Sequence, residues 1–165
     1  MLIKFFLGVA IVAFTSFCGY LLSRKYRSRK LFFGQLYAFN ERFLSEISYY
    51  RRPLKEFIAL YSYQGEFNDF LSEIFQERQE SVPLGGIFLK TDRYAFLKEE
   101  DKKMVEDYFF MLGKGDSASQ KSYFSSMKES LFTLQKETEN DAKRYVDLYI
   151  KIGFLCGLLV LILII

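Results

Sequence analysis

The chain has no histidine, and its only thiols, Cys18 and Cys156, each lie inside an apolar run. Imidazole is the commonest general acid or base and the commonest metal ligand, and a thiol in apolar surroundings stays protonated and packs as a small hydrophobe. Metal-assisted, triad and thiolate chemistry are therefore not expected, and neither is a cofactor. Three other groups of residues have types and spacing that could do chemistry. In Leu112-Gly113-Lys114-Gly115-Asp116 two glycines flank a lysine just ahead of a helical pattern, a place where exposed amides and the helix dipole favour an anion. The stretch lacks the spacing of a phosphate loop and any strand before it, so a turn with a helix cap accounts for it better. Glu99, Glu100 and Asp101 sit among Lys98, Lys102 and Lys103 at a helix start. They read as a solvated face whose acids offset the dipole, since catalytic carboxylates need environments that push their pKa values apart. Arg24, Lys25, Arg27, Arg29 and Lys30 could track nucleic-acid phosphates. Their position beside an apolar run is explained more simply by anionic headgroups and membrane topology, and no nucleic-acid partner is expected.

Those cations belong to a partition of charge along the chain. Residues 31–142 carry 14 Lys and Arg against 19 Asp and Glu. The positive excess lies at the junctions, where Arg24, Lys25, Arg27, Arg29 and Lys30 follow one apolar run and Lys143, Arg144 and Lys151 precede or enter another. From Leu2 to Leu22 the first run is interrupted only by Lys4; as a helix rising about 1.5 Å per residue it reaches roughly 30 Å, the thickness of a hydrocarbon core. The cations directly after it argue against a cleaved signal peptide. The second run starts near Tyr149 and continues to Ile165, with the long stem of Lys151 able to carry its ammonium to the interface. Cations beside membrane spans are retained on the cytoplasmic side, so both termini are expected to face away from the cytoplasm. The organisation that follows is a transmembrane helix over residues 1–23, a cytoplasmic helical domain over 24–148 and a second transmembrane helix over 149–165. Thr15 with Gly19, and Gly153 with Gly157, are small-residue spacings that allow close helix approach, either to each other or to another subunit.

With 19 Phe, 12 Tyr and only two Pro in the chain, the middle is rich in core-forming residues and poor in helix breakers. Leu36, Phe39, Phe43, Ile47 and Tyr50 recur at steps of three or four, one buried face of a helix. Pro53 is expected to end it near Arg52 and to start a short helix reaching about Tyr63, with Gly65 as a stop. Phe67, Phe70, Leu71, Ile74 and Phe75 mark the next helix, and Pro83 with Gly85-Gly86 marks a loop. Residues 87–97 carry no clear period. Met104, Val105, Tyr108, Phe109 and Leu112 form a stripe that stops at Gly113 and Gly115. Ser117 with Gln120 fits a capping box, and from there Phe124, Met127, Leu131, Leu134, Thr138, Tyr145, Leu148 and Ile152 alternate steps of three and four, a coiled-coil-like seam along one rod. The expected fold is all-α, an antiparallel helical bundle flanked by two transmembrane helices. The seam packs within one chain or, if it faces outward, makes a homo-oligomer.

Three stretches then bear on identity. They are Ser48-Tyr49-Tyr50-Arg51-Arg52-Pro53-Leu54, Leu112-Gly113-Lys114-Gly115-Asp116 with Gln120, and Tyr149-Ile150-Lys151-Ile152-Gly153-Phe154-Leu155-Cys156-Gly157 with the aliphatic tail after it. In these motifs, their order, its length and its terminal apolar runs the chain resembles the stage III sporulation protein AB family. It departs from the family in having no tryptophan and in residues 81–97. The resemblance implies a protein of endospore formation in the mother-cell membrane around the forespore. It also implies a fold similar to the cytoplasmic helical domain of type II secretion F platform proteins. By the same implication its partners are the secretion-type ATPase of a secretion-like channel complex and other channel subunits, with membrane lipids around the spans. The matching motifs carry over Arg51, Arg52, Lys114, Asp116 and Gln120 as candidate partner contacts, although helix capping also explains Asp116 and Gln120.

The function expected from residues and resemblance together is a non-enzymatic membrane platform or scaffold that docks a cytoplasmic ATPase. A membrane-surface adaptor or sensor responding to anionic lipid is the alternative. A small membrane enzyme acting on lipid or peptide is a further one, and it requires a concave site with convergent polar groups.

Overall fold

The computed structural model describes residues 2–50, 53–79 and 92–164, and every regular element among them is helical. We number the α-helices α1 (Leu2–Leu22), α2 (Arg24–Ser45), α3 (Leu54–Leu60), α4 (Glu66–Gln79), α5 (Glu99–Met111) and α6 (Ser117–Ile164). A π-helical turn covers Glu46–Tyr50 and a 3-10 turn Asp92–Tyr94. These elements form two compact units, one of Ser28–Glu137 and one of Met1–Arg27 with Thr138–Ile165.

The Ser28–Glu137 unit is an antiparallel helical bundle with an aromatic interior. Phe39 is fully buried at its centre. Its ring meets Phe57 of α3 at 5.4 Å, Tyr63 at 5.7 Å, Phe67 of α4 at 6.1 Å and Phe109 of α5 at 5.6 Å between centroids. Phe43 and Tyr108 carry the packing on to Phe124 of α6, at 4.9 and 5.0 Å in edge-to-face geometry. Edge-to-face pairs are favoured by the ring quadrupole and add to the transfer free energy of the buried area. α3 begins after Pro53, whose φ of −56° suits a helix start and whose carbonyl accepts from the Glu56 and Phe57 amides. It ends earlier than the spacing suggests, because Tyr61 is extended at φ −122° and ψ 133°. Arg42 stands between the Tyr61 and Tyr63 rings, 4.6 and 5.2 Å from their centroids, and ties the extended stretch to α2. Gly65 therefore serves a different place: it takes φ +61° just ahead of α4. Of the unreadable stretch, Tyr94 and Leu97 enter the core, and the Tyr94 hydroxyl donates to Glu73 at 2.8 Å.

Among the described residues, Asn40 and Arg29 each anchor a set of buried polar contacts inside this unit. Asn40 is fully buried, donating from Nδ2 to the Phe124 carbonyl at 3.2 Å while its Oδ1 accepts from the Tyr108 hydroxyl at 3.0 Å. One side chain thus joins α2, α5 and α6. Burial, with the neighbouring tyrosines Tyr63 and Tyr123, pushes the Tyr108 hydroxyl far above its ordinary pKa, so it stays a neutral donor. Arg29 corrects a reading of the sequence. It belongs to the basic cluster, yet it is buried, with Nε 2.7 Å from Asp101 Oδ2 and Nη2 3.0 Å from Oδ1. The helical register explains this, since Arg29 precedes Phe33, Leu36 and Asn40 on the core face of α2. Asp101, read as part of a solvated face, is buried for the same pairing, and its Oδ2 also accepts the Lys98 amide at 2.9 Å to cap α5.

The expected seam along α6 holds only in part. Phe124 and Leu131 are buried in the bundle and Thr138 is buried too, but Leu148 and Ile152 are 44% and 48% exposed. A straight helix drifts about 20° per heptad from a strict seven-residue repeat, so over the four heptads from Phe124 to Ile152 a stripe read by heptads leaves the packed face. In the unit containing Thr138–Ile165 the seam residue Tyr145 still faces inward, and beyond it Tyr149, Gly153 and Gly157 take the places expected of Leu148 and Ile152.

Removing one partner of a buried ion pair strands the other charge, which costs about 3–5 kcal/mol. Arg29 Nη1 also lies 3.9 Å from Oε1 of the half-exposed Glu137, so Asp101→Ala is expected to lower the stability of the chain in detergent by the lower end of that range, about 3 kcal/mol, read from the urea midpoint of the tyrosine near-ultraviolet signal. The double change Arg29→Met with Asp101→Leu is expected to recover most of it. Equal losses in single and double variants would refute the assignment.

Candidate functional site

The sequence-predicted contact residues Lys114, Asp116 and Gln120 meet on the turn between α5 and α6. α5 closes with the Lys114 amide donating to the Met111 carbonyl at 3.1 Å. Gly113 and Gly115 then both take φ +80°, the left-handed region that glycine enters without steric cost. This reversal makes Asp116, not Ser117, the cap. Its carboxylate accepts from the Ser119 side chain, backed by the Ser119 and Ala118 amides and opposed by slight desolvation, and is held below its ordinary 3.8. Gln120, one position too far along to close the expected capping box, donates instead from Nε2 to the Lys114 carbonyl at 3.0 Å. The Lys114 ammonium lies 2.9 Å from the ring centroid of Phe110, which is 54% exposed. Arg51 and Arg52 lie outside the described residues.

Beside this turn is a cleft of about 210 Å³ lined by apolar Phe43, Ile47 and Leu54 and by polar Glu46, Ser117 and Gln120. Glu46 is buried, at 3% exposure, and opens the π-helical turn. Such turns insert a residue into an α-helix and recur at functional sites. The neighbourhood of the Ser48–Leu54 motif and the glycine-turn motif, far apart in sequence, thus line one concavity. Glu46 was missed by sequence reasoning. Its signal was a charged residue three after Phe43 on an apolar face.

In the other unit, α1 and the C-terminal stretch of α6 run antiparallel at backbone contact. A Cβ built on Gly157 would meet the Val12 Cα at 2.7 Å and collide with the Thr15 hydroxyl; one on Gly153 would meet the Thr15 carbonyl, and one on Gly19 the Tyr149 carbonyl. The four small residues picked out by spacing therefore lie in one contact between these helices. Thr15 itself donates to the Ile11 and Val12 carbonyls at 3.1 Å, so its hydroxyl needs no further partner. Both helices are long and apolar enough to cross a membrane, and protein covers only 17% and 6% of their most apolar windows. The core helix of a soluble protein would be mostly covered.

The basic residues beside these helices have unequal surroundings. Arg24 and Lys25 are exposed, as is Lys30 in the bundle unit. Arg27 stacks 3.8 Å from the Tyr20 ring centroid and donates to the Tyr20 carbonyl. Lys143 pairs with Glu139 at 3.0 Å and Lys151 with Asp147 at 2.6 Å. Arg144 Cζ is 5.7 Å from the Tyr145 ring centroid. Tyr26 stacks on Tyr145; burial first, then Tyr149, Tyr145 and the Asp141 carboxylate push its pKa up. Among the described residues no group of three His, Cys, Asp or Glu is placed to hold a metal ion.

Compared with known families, residues 4–165 match the model described as Stage III sporulation protein AB. No curated protein and no solved structure matches the chain.

Two outcomes follow from this geometry. A carboxyl whose folded pKa lies below 3.8 contributes stability fully above that value and loses it as pH falls through the lower, folded pKa. The protection of the amides in the first turn of α6, the intrinsic exchange rate at the same pH over the observed rate, is therefore expected to fall below about pH 4, and Asp116→Asn is expected to remove that pH step. Gly157→Leu is expected to lengthen the separation of spin labels on Cys18 and Cys156 by on the order of 2 Å, the spread of interaxial distances set by contact side chains. An unchanged distance would place the close contact elsewhere.

Proposed function

The chain belongs to the stage III sporulation protein AB family, which assigns it to stage III of spore formation, and from that premise we propose that it is a non-enzymatic membrane platform. Its two apolar helices anchor it in the mother-cell membrane around the forespore with the helical bundle on the cytoplasmic side. The bundle docks the secretion-type ATPase of a secretion-like channel complex and contacts other channel subunits. The observation that carries this reading is the convergence of two separate motifs on the cleft between Glu46–Ile47, Leu54 and the Gly113–Gln120 turn. A concave, partly apolar site with a few placed polar groups suits one side chain of a protein partner. The exposed Phe110 and Lys114 beside it supply an aromatic and a cationic contact of the kind that dominates interfaces. An all-helical unit held by a dense aromatic core is a rigid support, and a rigid support binds without ordering cost.

The test is a photo-crosslinking residue at position 120 of the full chain in sporulating cells, with position 130, exposed on α6 and outside this cleft, as control. An ATPase adduct from position 120 alone supports the platform. Lys114→Glu is expected to lower its yield roughly tenfold, about 1.4 kcal/mol. Adducts at neither position, or equal adducts at both, would remove the cleft as the docking site.

A further inference from the structure

Among the cations beside the apolar helices, Lys143, Lys151 and Arg27 are engaged by Glu139, Asp147 and Tyr20. Lys25 and Arg144 are exposed, and among the described residues no acid stands within ion-pair distance of either. They share one ring stack. Tyr26 and Tyr145 lie 4.6 Å apart with planes 16° from parallel, and Tyr149 adds a third ring 5.9 Å from Tyr26. Lys25 Nζ is 5.1 Å from the Tyr26 centroid, and Arg144 Cζ is 5.7 Å from the Tyr145 centroid. In an antiparallel helix pair a two-fold axis relates the helices, so the residues just before two facing residues fall on the same side. Lys25 precedes Tyr26 and Arg144 precedes Tyr145, which sets both cations along one flank of the stack.

One helical turn toward the apolar ends, on the same faces as these cations, stand Leu21 and Leu148, 49% and 44% exposed. Two cations over tyrosine rings, with uncovered leucines one turn further in, match an amphiphile and not a free ion. We propose that Lys25, Arg144 and the Tyr26–Tyr145 stack bind the phosphodiester headgroup of an anionic phospholipid, whose acyl chains lie along Leu21 and Leu148. The proposal rests on the membrane reading above and says which of the basic residues recognise lipid. Helical drift turns Leu148 out of the seam, and the proposal supplies the lipid chain that covers it there. Asp141, whose charge reaches Tyr26, weakens the site.

The experiment is native mass spectrometry of the purified full chain in neutral detergent, titrated with phosphatidylglycerol and with phosphatidylcholine. The expected result is retention of phosphatidylglycerol over phosphatidylcholine. Lys25→Gln with Arg144→Gln is expected to weaken it roughly 30-fold, at about 1 kcal/mol for each cation near an anionic lipid. Lys143→Gln with Lys151→Gln, equal in net charge, is expected to change it less than about threefold, because an exposed ion pair contributes little beyond its own partner. Asp141→Asn is expected to tighten it. Equal losses in the two double variants would show attraction by net charge alone and overturn the site. Displacement of the lipid by inorganic phosphate would show recognition of the free ion and overturn the lipid assignment. Flotation with phosphatidylcholine vesicles reads membrane insertion by itself, so a chain that floats without preferring phosphatidylglycerol sinks this proposal and leaves the platform standing.

Discussion

Arg29 and Asp101 meet where both side chains are almost wholly buried, with the half-exposed Glu137 carboxylate 3.9 Å from the guanidinium, and the register of the helical bundle depends on that contact. A buried guanidinium and carboxylate tolerate no shift: moving α2 by one residue against α5 would leave both charges unsatisfied at a cost of several kcal/mol each. The contact thereby holds α2 in one register. It also sets the start of α5, since the same Asp101 oxygen that accepts from Arg29 accepts the Lys98 amide. Asn40 repeats the logic further along α2, tying the Phe124 carbonyl and the Tyr108 hydroxyl to one amide. Apolar packing alone is tolerant of sliding, whereas these polar contacts are satisfied in only one arrangement.

Around them the phenylalanines and tyrosines supply most of the buried surface. Phe39 reaches α3, α4 and α5 in turn, so the short helices are positioned by shared rings and not by their own weak intrinsic stability. The consequence for function is at the opposite end of α5. Gly113 and Gly115 reverse the chain tightly enough to bring the start of α6 beside the π-helical turn, and the cleft there exists because both segments are held by the same core.

In the membrane setting proposed for it, the unit built from Met1–Arg27 and Thr138–Ile165 uses a different force. Lipid chains are as apolar as leucine, so apolar helices gain from meeting only where backbones approach closely enough for dense packing. Gly19, Gly153 and Gly157 remove the side chains that would prevent this, and the large residues Phe14, Phe17, Phe154 and Leu155 are left facing outward. That outward surface suits hydrocarbon and is unsuited to water.

How much could be read without coordinates follows from the range of the interactions concerned. Helical periodicity, the apolar runs and the family motifs are local or additive, and they were legible: the all-α fold, most of the buried faces and the family all follow from the order of residues. What the sequence could not decide depended on partners distant along the chain. Arg29 reads as one more junction cation until its place on the face of Phe33, Leu36 and Asn40 is set against Asp101, 72 residues on. Capping by Asp116 was legible, but the capping box of Ser117 with Gln120 was not a true one, because the two left-handed glycines start the helix so that Gln120 turns back to the Lys114 carbonyl. A heptad seam through Leu148 and Ile152 fails because helical drift accumulates with length. By itself the sequence determined that the chain is helical, that its ends are apolar and that it belongs to a sporulation family, since composition and period record those directly. The tertiary structure alone decided which charges are buried, which are engaged and which remain exposed, because solvation of a charge is a property of its surroundings and not of its neighbours in the chain.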